Sequence, residues 1–264
     1  MSIFQALLDI ERSAGSAVLC TVIRSSGSTP RHTGSKMIVY PDRRTLGSVG
    51  GGELENRVIS ESMRALLEGK AINLVFSMSD PALGDPGICG GQVEVFLEPI
   101  LPPPFLLIIG SGHVGKAVAH LARWLDFRVG ISDDRPEYCT REAVPDADTF
   151  FPFPLDELTR HVQITPQMYL VLTTRGLEID VPGLPSLLNS PAAYIGVIGS
   201  RRRWAMTVEE LKKKGISEEK LARVHSPIGL GIGAETPEEI AVSILAEILM
   251  LRRGGSGKPM KYPK

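Results

Sequence analysis

The chain has 264 residues, room for two domains of ordinary size. Its 29 basic and 30 acidic side chains nearly cancel, which excludes a global basic field for nucleic acid or acidic membranes. Hydrophobic residues make up 43%, enough for a sizeable core, yet no uncharged apolar run approaches the ~18 residues of a bilayer span.

Residues 3–12 read as a short helix. They include Asp9 and Glu11 and no basic cluster, so a signal peptide is not expected. A strand over 17–25 follows. Its alternating sets, Val18, Cys20, Val22 and Leu19, Thr21, Ile23, are both mostly apolar, which predicts burial on both faces. Residues 36–40 form a second strand. The glycine-rich turn 47–52 then feeds a helix over 53–67, with Leu54, Val58, Ile59, Met63, Leu66 and Leu67 at helical spacing. Strands at 72–77 and 93–98 complete a small N-terminal α/β domain, residues 1–98. Pro99 and the run Pro102-Pro103-Pro104 predict an extended linker over 99–104, since prolines cannot continue a helix or a central strand.

Beyond the linker, strand and helix alternate: strand 105–109, helix 114–125, strand 128–132, then strands 169–173 and 193–198 with helices between and after them. This predicts a C-terminal Rossmann-like domain with a parallel sheet, residues 105–253, whose ligands bind beyond the carboxyl ends of the strands. Before the last helix, Thr236, Pro237 and Glu239 form a capping-box signature. Ile240, Ile244, Ile248 and Leu251 of that helix should pack on the sheet, although Glu247 interrupts the apolar stretch. The tail, residues 254–264, is rich in glycine and proline and is expected to be flexible.

Gly110-Ser111-Gly112-His113-Val114-Gly115 fits GxGxxG and lies between a strand and a helix. Gly110 permits the turn, Gly112 lets a phosphate approach the backbone, and Gly115 lets the helix pack close to the sheet. The amides of the helix start then face the anion. Asp133 and Asp134 end the next strand, where this fold keeps a ribose-binding carboxylate. The bland alternative is a turn that uses glycine for geometry alone. His113 either donates to the ligand or caps local backbone.

Cys89 and Gly90 stand in a glycine-rich turn, Gly87-Ile88-Cys89-Gly90-Gly91. A thiolate there suits a soft or high-valent metal; a small hydrophobe at a turn explains it as well. Gly50-Gly51-Gly52 can form an anion-accepting nest with Arg31 as its charged partner, or a plain turn with Glu53 serving the helix dipole. Arg201 opens the run Arg201-Arg202-Arg203 after the N-cap Ser200 and either reaches an anion or stays solvated. Cys20, Cys89 and Cys139 form no CxxC pair. That argues against a zinc ribbon or disulfide framework and fits a reducing cytoplasm.

Taken in order, GSTPRHTGSKM, GSVGGGELE, GICGGQVEVFLEP, IIGSGHVG, YIGVIGSRRR and SPIGLGIGAETPEEIAVSILAEI resemble the XdhC/CoxI family over residues 16–251. The resemblance implies an accessory protein and not the dehydrogenase itself. Such proteins bind the molybdenum cofactor, a molybdopterin with or without a nucleotide. They support its sulfuration by a cysteine desulfurase-type sulfur donor and insert it into an apo molybdenum hydroxylase such as xanthine dehydrogenase. The family's glycine loop corresponds to Gly110, Gly112, His113 and Gly115. Its CGG element corresponds to Cys89, Gly90 and Gly91, and its GSRRK-like element to residues 199–202. Leu177 stands where the family's TRGHELD-like string carries a histidine, which suggests a divergent member.

These readings combine into one expectation. The cofactor phosphate sits on the amides from Gly112 through Val114 to Gly115. Asp133 accepts from the pterin amino group or a ribose, and Cys89 approaches the molybdenum or guards its sulfido ligand in a cleft between the domains. No residue is given a catalytic role. An NAD(P)-dependent oxidoreductase would use the glycine loop and Asp133 equally well, and a nucleotide-gated interaction protein is a third reading. A homodimer is the base-rate expectation.

Overall fold

The computed structural model describes residues 1–13, 15–27, 29, 31–77 and 91–261. The chain divides into two compact units, Met1–Pro102 and Pro103–Lys264.

In the first unit, helix α1 (Ile3–Arg12) precedes strands β1 (Ala17–Ser26), β2 (Lys36–Val39) and β3 (Thr45–Gly47). Helix α2 (Gly52–Glu68) follows, then strands β4 (Ile72–Ser77) and β5 (Gln92–Ile100). The strands form an antiparallel sheet in the order β3-β2-β1-β5-β4. Leu54, Val58 and Ala65 of α2 join Val18, Cys20, Val22, Val95 and Leu97 in a core on one face. On the other face α1 packs beside Ala17 and Ile38. The expected burial of β1 on both faces fails toward its end, where Ile23 is 43% exposed. A ten-residue helix is about 15 Å long and a ten-residue strand about 33 Å, so α1 cannot cover β1 along its length. The linker also begins later than expected, because Pro99 lies within β5 opposite Val18. The β4 pairing ends at Leu97, so past that point a proline gives up no ladder bond on the β4 side.

The second unit opens with strand β6 (Phe105–Ile109), helix α3 (His113–Trp124) and strands β7 (Arg128–Ser132) and β8 (Thr149–Phe151). Next come α4 (Leu158–His161), β9 (Met168–Leu172), α5 (Leu177–Leu188) and β10 (Tyr194–Val197). Helices α6 (Arg201–Lys213) and α7 (Glu218–Leu221), strand β11 (Val224–His225) and helix α8 (Pro237–Arg253) complete it. Every strand pair is parallel, in the order β11-β10-β9-β6-β7-β8. This is the Rossmann-like sheet expected from the sequence. Leu106 and Ile108 of β6 enter one core with residues of α3 and α8, while Leu107 and Ile109 enter a second with residues of α5. Both faces are covered, which is why β6 is an unbroken apolar run. The sheet grows one way from β6 to β7 and the other way from β6 to β9. Such a switch point opens a crevice at the carboxyl ends of the strands.

Thr236 and Glu239 make the reciprocal capping box at the start of α8. Ala241, Ile244, Leu245 and Ile248 face the core. Leu251, expected to pack, is 46% exposed. The following residue, Arg252, is exposed as well, and its guanidinium lies 5.6 Å from the Phe127 ring centroid. Among the described residues, no helix is long and apolar enough to cross a membrane.

Candidate functional site

The loop from β6 to α3 lies at the switch point. Gly110 has φ +107°, and a Cβ there would meet the Thr173 carbonyl oxygen at 2.7 Å. A Cβ on Gly115 would lie 2.0 Å from the Gly110 carbonyl oxygen. These two glycines serve the turn and the packing of α3. Gly112 differs. Its φ of −69° suits any residue, and a Cβ would meet nothing within 4 Å. Gly112 is also the N-cap of α3. Helices α1, α6, α7 and α8 start on Ser2, Ser200, Ser217 and Thr236, whose hydroxyls accept a first-turn amide. At α3 no side chain takes that place. The amides of His113, Val114 and Gly115 are thus arranged as in an anion-binding helix start.

Asp133, just past β7, is 4% exposed. Its Oδ2 accepts from the Ser111 amide (2.9 Å), the Ser111 hydroxyl (2.8 Å) and Arg135 Nη2 (3.0 Å). Its Oδ1 accepts from the Arg135 amide (3.1 Å) and Nε (2.9 Å). Burial pushes its pKa up, but the Arg135 and Ser111 donors outweigh burial and hold the carboxyl well below the usual range. A carboxylate has about four lone-pair positions, so these bonds leave Asp133 little capacity for a ribose or a pterin amino group. It ties the glycine loop to the end of β7 and fixes Arg135.

Asp134 stands at the mouth. Its carboxylate accepts from Arg175 Nη2 at 2.9 and 2.6 Å and lies 4.0 Å from Arg135 Nε. Gly112, Asp134, Arg135, Thr174 and Arg175 are among the residues lining a cleft open to solvent. Arg135 and Arg175 are not among the residues expected from the motifs. Each lies three residues past the last residue of its strand, β7 or β9, where side chains reach a crevice at the carboxyl edge. That spacing is the signal by which a sequence could reveal them.

The other expected residues fall elsewhere. His113 is exposed and lines a separate hollow between α3 and α8, with Lys116, His120 and Val242. Arg201 is exposed at the first position of α6. Arg203 is the arginine of that run that turns inward, donating to the Thr174 hydroxyl (2.8 Å) and to the buried carboxylate of Asp180 (2.6 Å). Leu177 is half-buried at the start of α5.

The glycine nest before α2 exists, but its anion comes from the chain itself. Glu55 Oε1 accepts from the amides of Val49, Gly50 and Gly51 and from the Ser48 hydroxyl. Burial acts to raise the Glu55 pKa, and these donors turn the net shift downward. Arg31 is exposed. Cys20 is buried, and burial pushes its thiol up to about 11, so it is inert. Cys139 is also buried, with its pKa raised by burial. Cys89 and Gly90 lie outside the described residues.

Residues 106–248 match the XdhC Rossmann domain, and residues 11–77 match the XdhC and CoxI family. The chain is 34% identical over 265 residues to uncharacterized protein YqeB of Escherichia coli (strain K12), covering 100% of this chain and 48% of that protein. It is 34% identical over 163 residues to a probable subunit of xanthine dehydrogenase from Bacillus subtilis (strain 168), covering 61% and 46%. It is 23% identical over 270 residues to molybdenum cofactor insertion chaperone PaoD of Escherichia coli (strain K12), covering 91% and 85%. The chain therefore spans about half the length of the first two of these relatives. A crystal structure of a xanthine dehydrogenase from Bacillus halodurans aligns with a TM-score of 0.51 at 24% identity, over 100% of this chain and 98% of that one. That likeness supports the fold. With the Rossmann-domain match over more than half of its length and a relative above 30% identity along all of it, the chain belongs to the XdhC and CoxI family.

Proposed function

We propose that the chain binds the molybdenum cofactor by its phosphate at the β6–α3 loop and acts as an accessory protein that inserts it into a molybdenum hydroxylase. Gly112 carries the reading. It gives a helix start with no side-chain cap, no Cβ and open space before it, at the crevice of a parallel sheet. Amides so placed hold anions. The names of two relatives, a molybdenum cofactor insertion chaperone and a probable subunit of xanthine dehydrogenase, supply the chemical class.

The residues present fit such a group. The first-turn amides of α3 bind the phosphate. Asp133 keeps the loop and Arg135 in place, and Arg135 and Arg175 add positive charge at the mouth. When bound, the cofactor supplies the molybdenum and sulfur chemistry of the client enzyme. This chain's residues bind and orient it. The proposal extends to support of sulfuration by a cysteine desulfurase-type donor and to a xanthine dehydrogenase-like client.

Calorimetry under anaerobic conditions tests the reading, with the purified chain titrated against molybdenum cofactor, NAD and NADP. Tight binding of the cofactor with little for either nicotinamide is expected. Binding of a nicotinamide alone would overturn it and turn the search toward a hydride acceptor.

A further inference from the structure

We infer that Arg175 is a phosphate-contacting residue of the cleft and that Asp134 is its exchangeable holder; this rests on the phosphate reading of the β6–α3 loop. Strands β7 and β9 flank β6 on opposite sides. Asp134 follows β7 and Arg175 follows β9. Their ion pair, 2.6 Å at its shortest, therefore joins the two strands that flank the glycine loop and spans the mouth of the crevice.

The two arginines of the cleft are held very differently. Arg135 is fixed by Asp133, whose side chain is 2% exposed. Arg175 is 50% exposed and its partner Asp134 is 36% exposed. An ion pair that open to water contributes little to stability and exchanges readily. The Asp134 carboxylate also lies 4.0 Å from Arg135 Nε, so one monoanion stands between two guanidiniums. A phosphate carries more charge and more acceptor oxygens than a carboxylate, and the guanidinium fork matches it in two bonds. An arriving phosphate thus takes Arg175 from Asp134 with no other bond to the Arg175 side chain to break among the described residues.

The test is a double-mutant cycle on the full chain, with anaerobic calorimetry against molybdenum cofactor as the readout. Arg175→Gln should weaken binding about tenfold or more, the loss of a charged hydrogen bond. Asp134→Asn should act in the opposite direction and tighten binding about two- to fivefold, the value of the exposed pair it releases. In the Arg175→Gln background, Asp134→Asn should bring no further tightening. Tightening that persists there is a general charge effect and overturns the inference. Weaker binding by Asp134→Asn alone also overturns it and makes Asp134 itself a ligand contact. Equal binding by all four proteins removes Arg175 from the site and leaves the phosphate reading standing. No binding by any of them overturns both.

Discussion

Gly112 and Gly115 lie three residues apart in one loop and answer to different constraints. A methyl on Gly115 runs into the Gly110 carbonyl oxygen, which belongs to the backbone and cannot swing aside. Gly115→Ala should therefore destabilise the fold by about 1–3 kcal/mol, as overpacking does. A methyl on Gly112 meets nothing, and its backbone angles suit alanine. Gly112→Ala should leave stability within about 0.5 kcal/mol and weaken cofactor binding about tenfold, the loss of one charged hydrogen bond. Urea unfolding and anaerobic calorimetry on both variants check the pair. Equal destabilisation by both would mean that Gly112 serves geometry alone. The GxGxxG spacing made this loop legible, because strand, turn and helix start are local features. The state of Asp133 was not legible. Its position follows from the motif, but its lone pairs are taken by Ser111 and by Arg135, a side chain that no part of the motif specifies.

At the scale of the element, α8 carries a carboxylate in the middle of an apolar stretch. Glu247 accepts from the Tyr194 hydroxyl and from the Gly229 amide (3.0 Å), and pairs with His225 Nδ1 (3.3 Å). It fastens α8 to β10, to β11 and to the segment after it. Burial acts to raise its pKa, but the donors from His225, Tyr194 and Gly229 together leave it lowered. A carboxyl whose folded pKa lies below its unfolded value adds stability above the ordinary Glu range and loses it as pH falls through the folded value. The melting temperature of the wild type should therefore drop more steeply between about pH 5 and pH 3 than that of Glu247→Gln, since an unperturbed Glu titrates near 4.3. At neutral pH, Glu247→Ala should cost about 1–3 kcal/mol through the stranded Tyr194 and Gly229 donors. Parallel melting curves for wild type and Glu247→Gln across that range would refute the account. From sequence, Glu247 was only an interruption of an apolar run, since its partners sit 18 to 53 residues away along the chain. The short strands β3, β8 and β11 carry no sequence signal for a related reason. Two or three residues show no period of their own, and pairing with a neighbouring strand makes them strands.

At the scale of the whole molecule, each hydrophobic core belongs to one unit. Residues 18–97 supply the core between α2 and the antiparallel sheet, and residues 106–248 supply the core beneath α3 and α8. Among the described residues, those that line the candidate cleft fall between Ile109 and Ile179. Among the described residues the second unit thus holds its own core, its own sheet and the candidate cleft, as a separate folding domain would. A fragment of residues 103–264 should unfold in one cooperative transition in urea. It should bind the molybdenum cofactor within roughly twofold of the full chain, the deviation from additivity expected of distant sites. Cooperative folding with binding weakened by about tenfold, 1.4 kcal/mol, would assign part of the affinity to residues 1–102. A fragment without a cooperative transition would mean that the core of the second unit is not self-sufficient. The fragment also separates the two roles proposed for the chain. If binding resides in the second unit and delivery needs the first, the fragment will hold the cofactor yet fail to activate an apo molybdenum hydroxylase that the full chain activates.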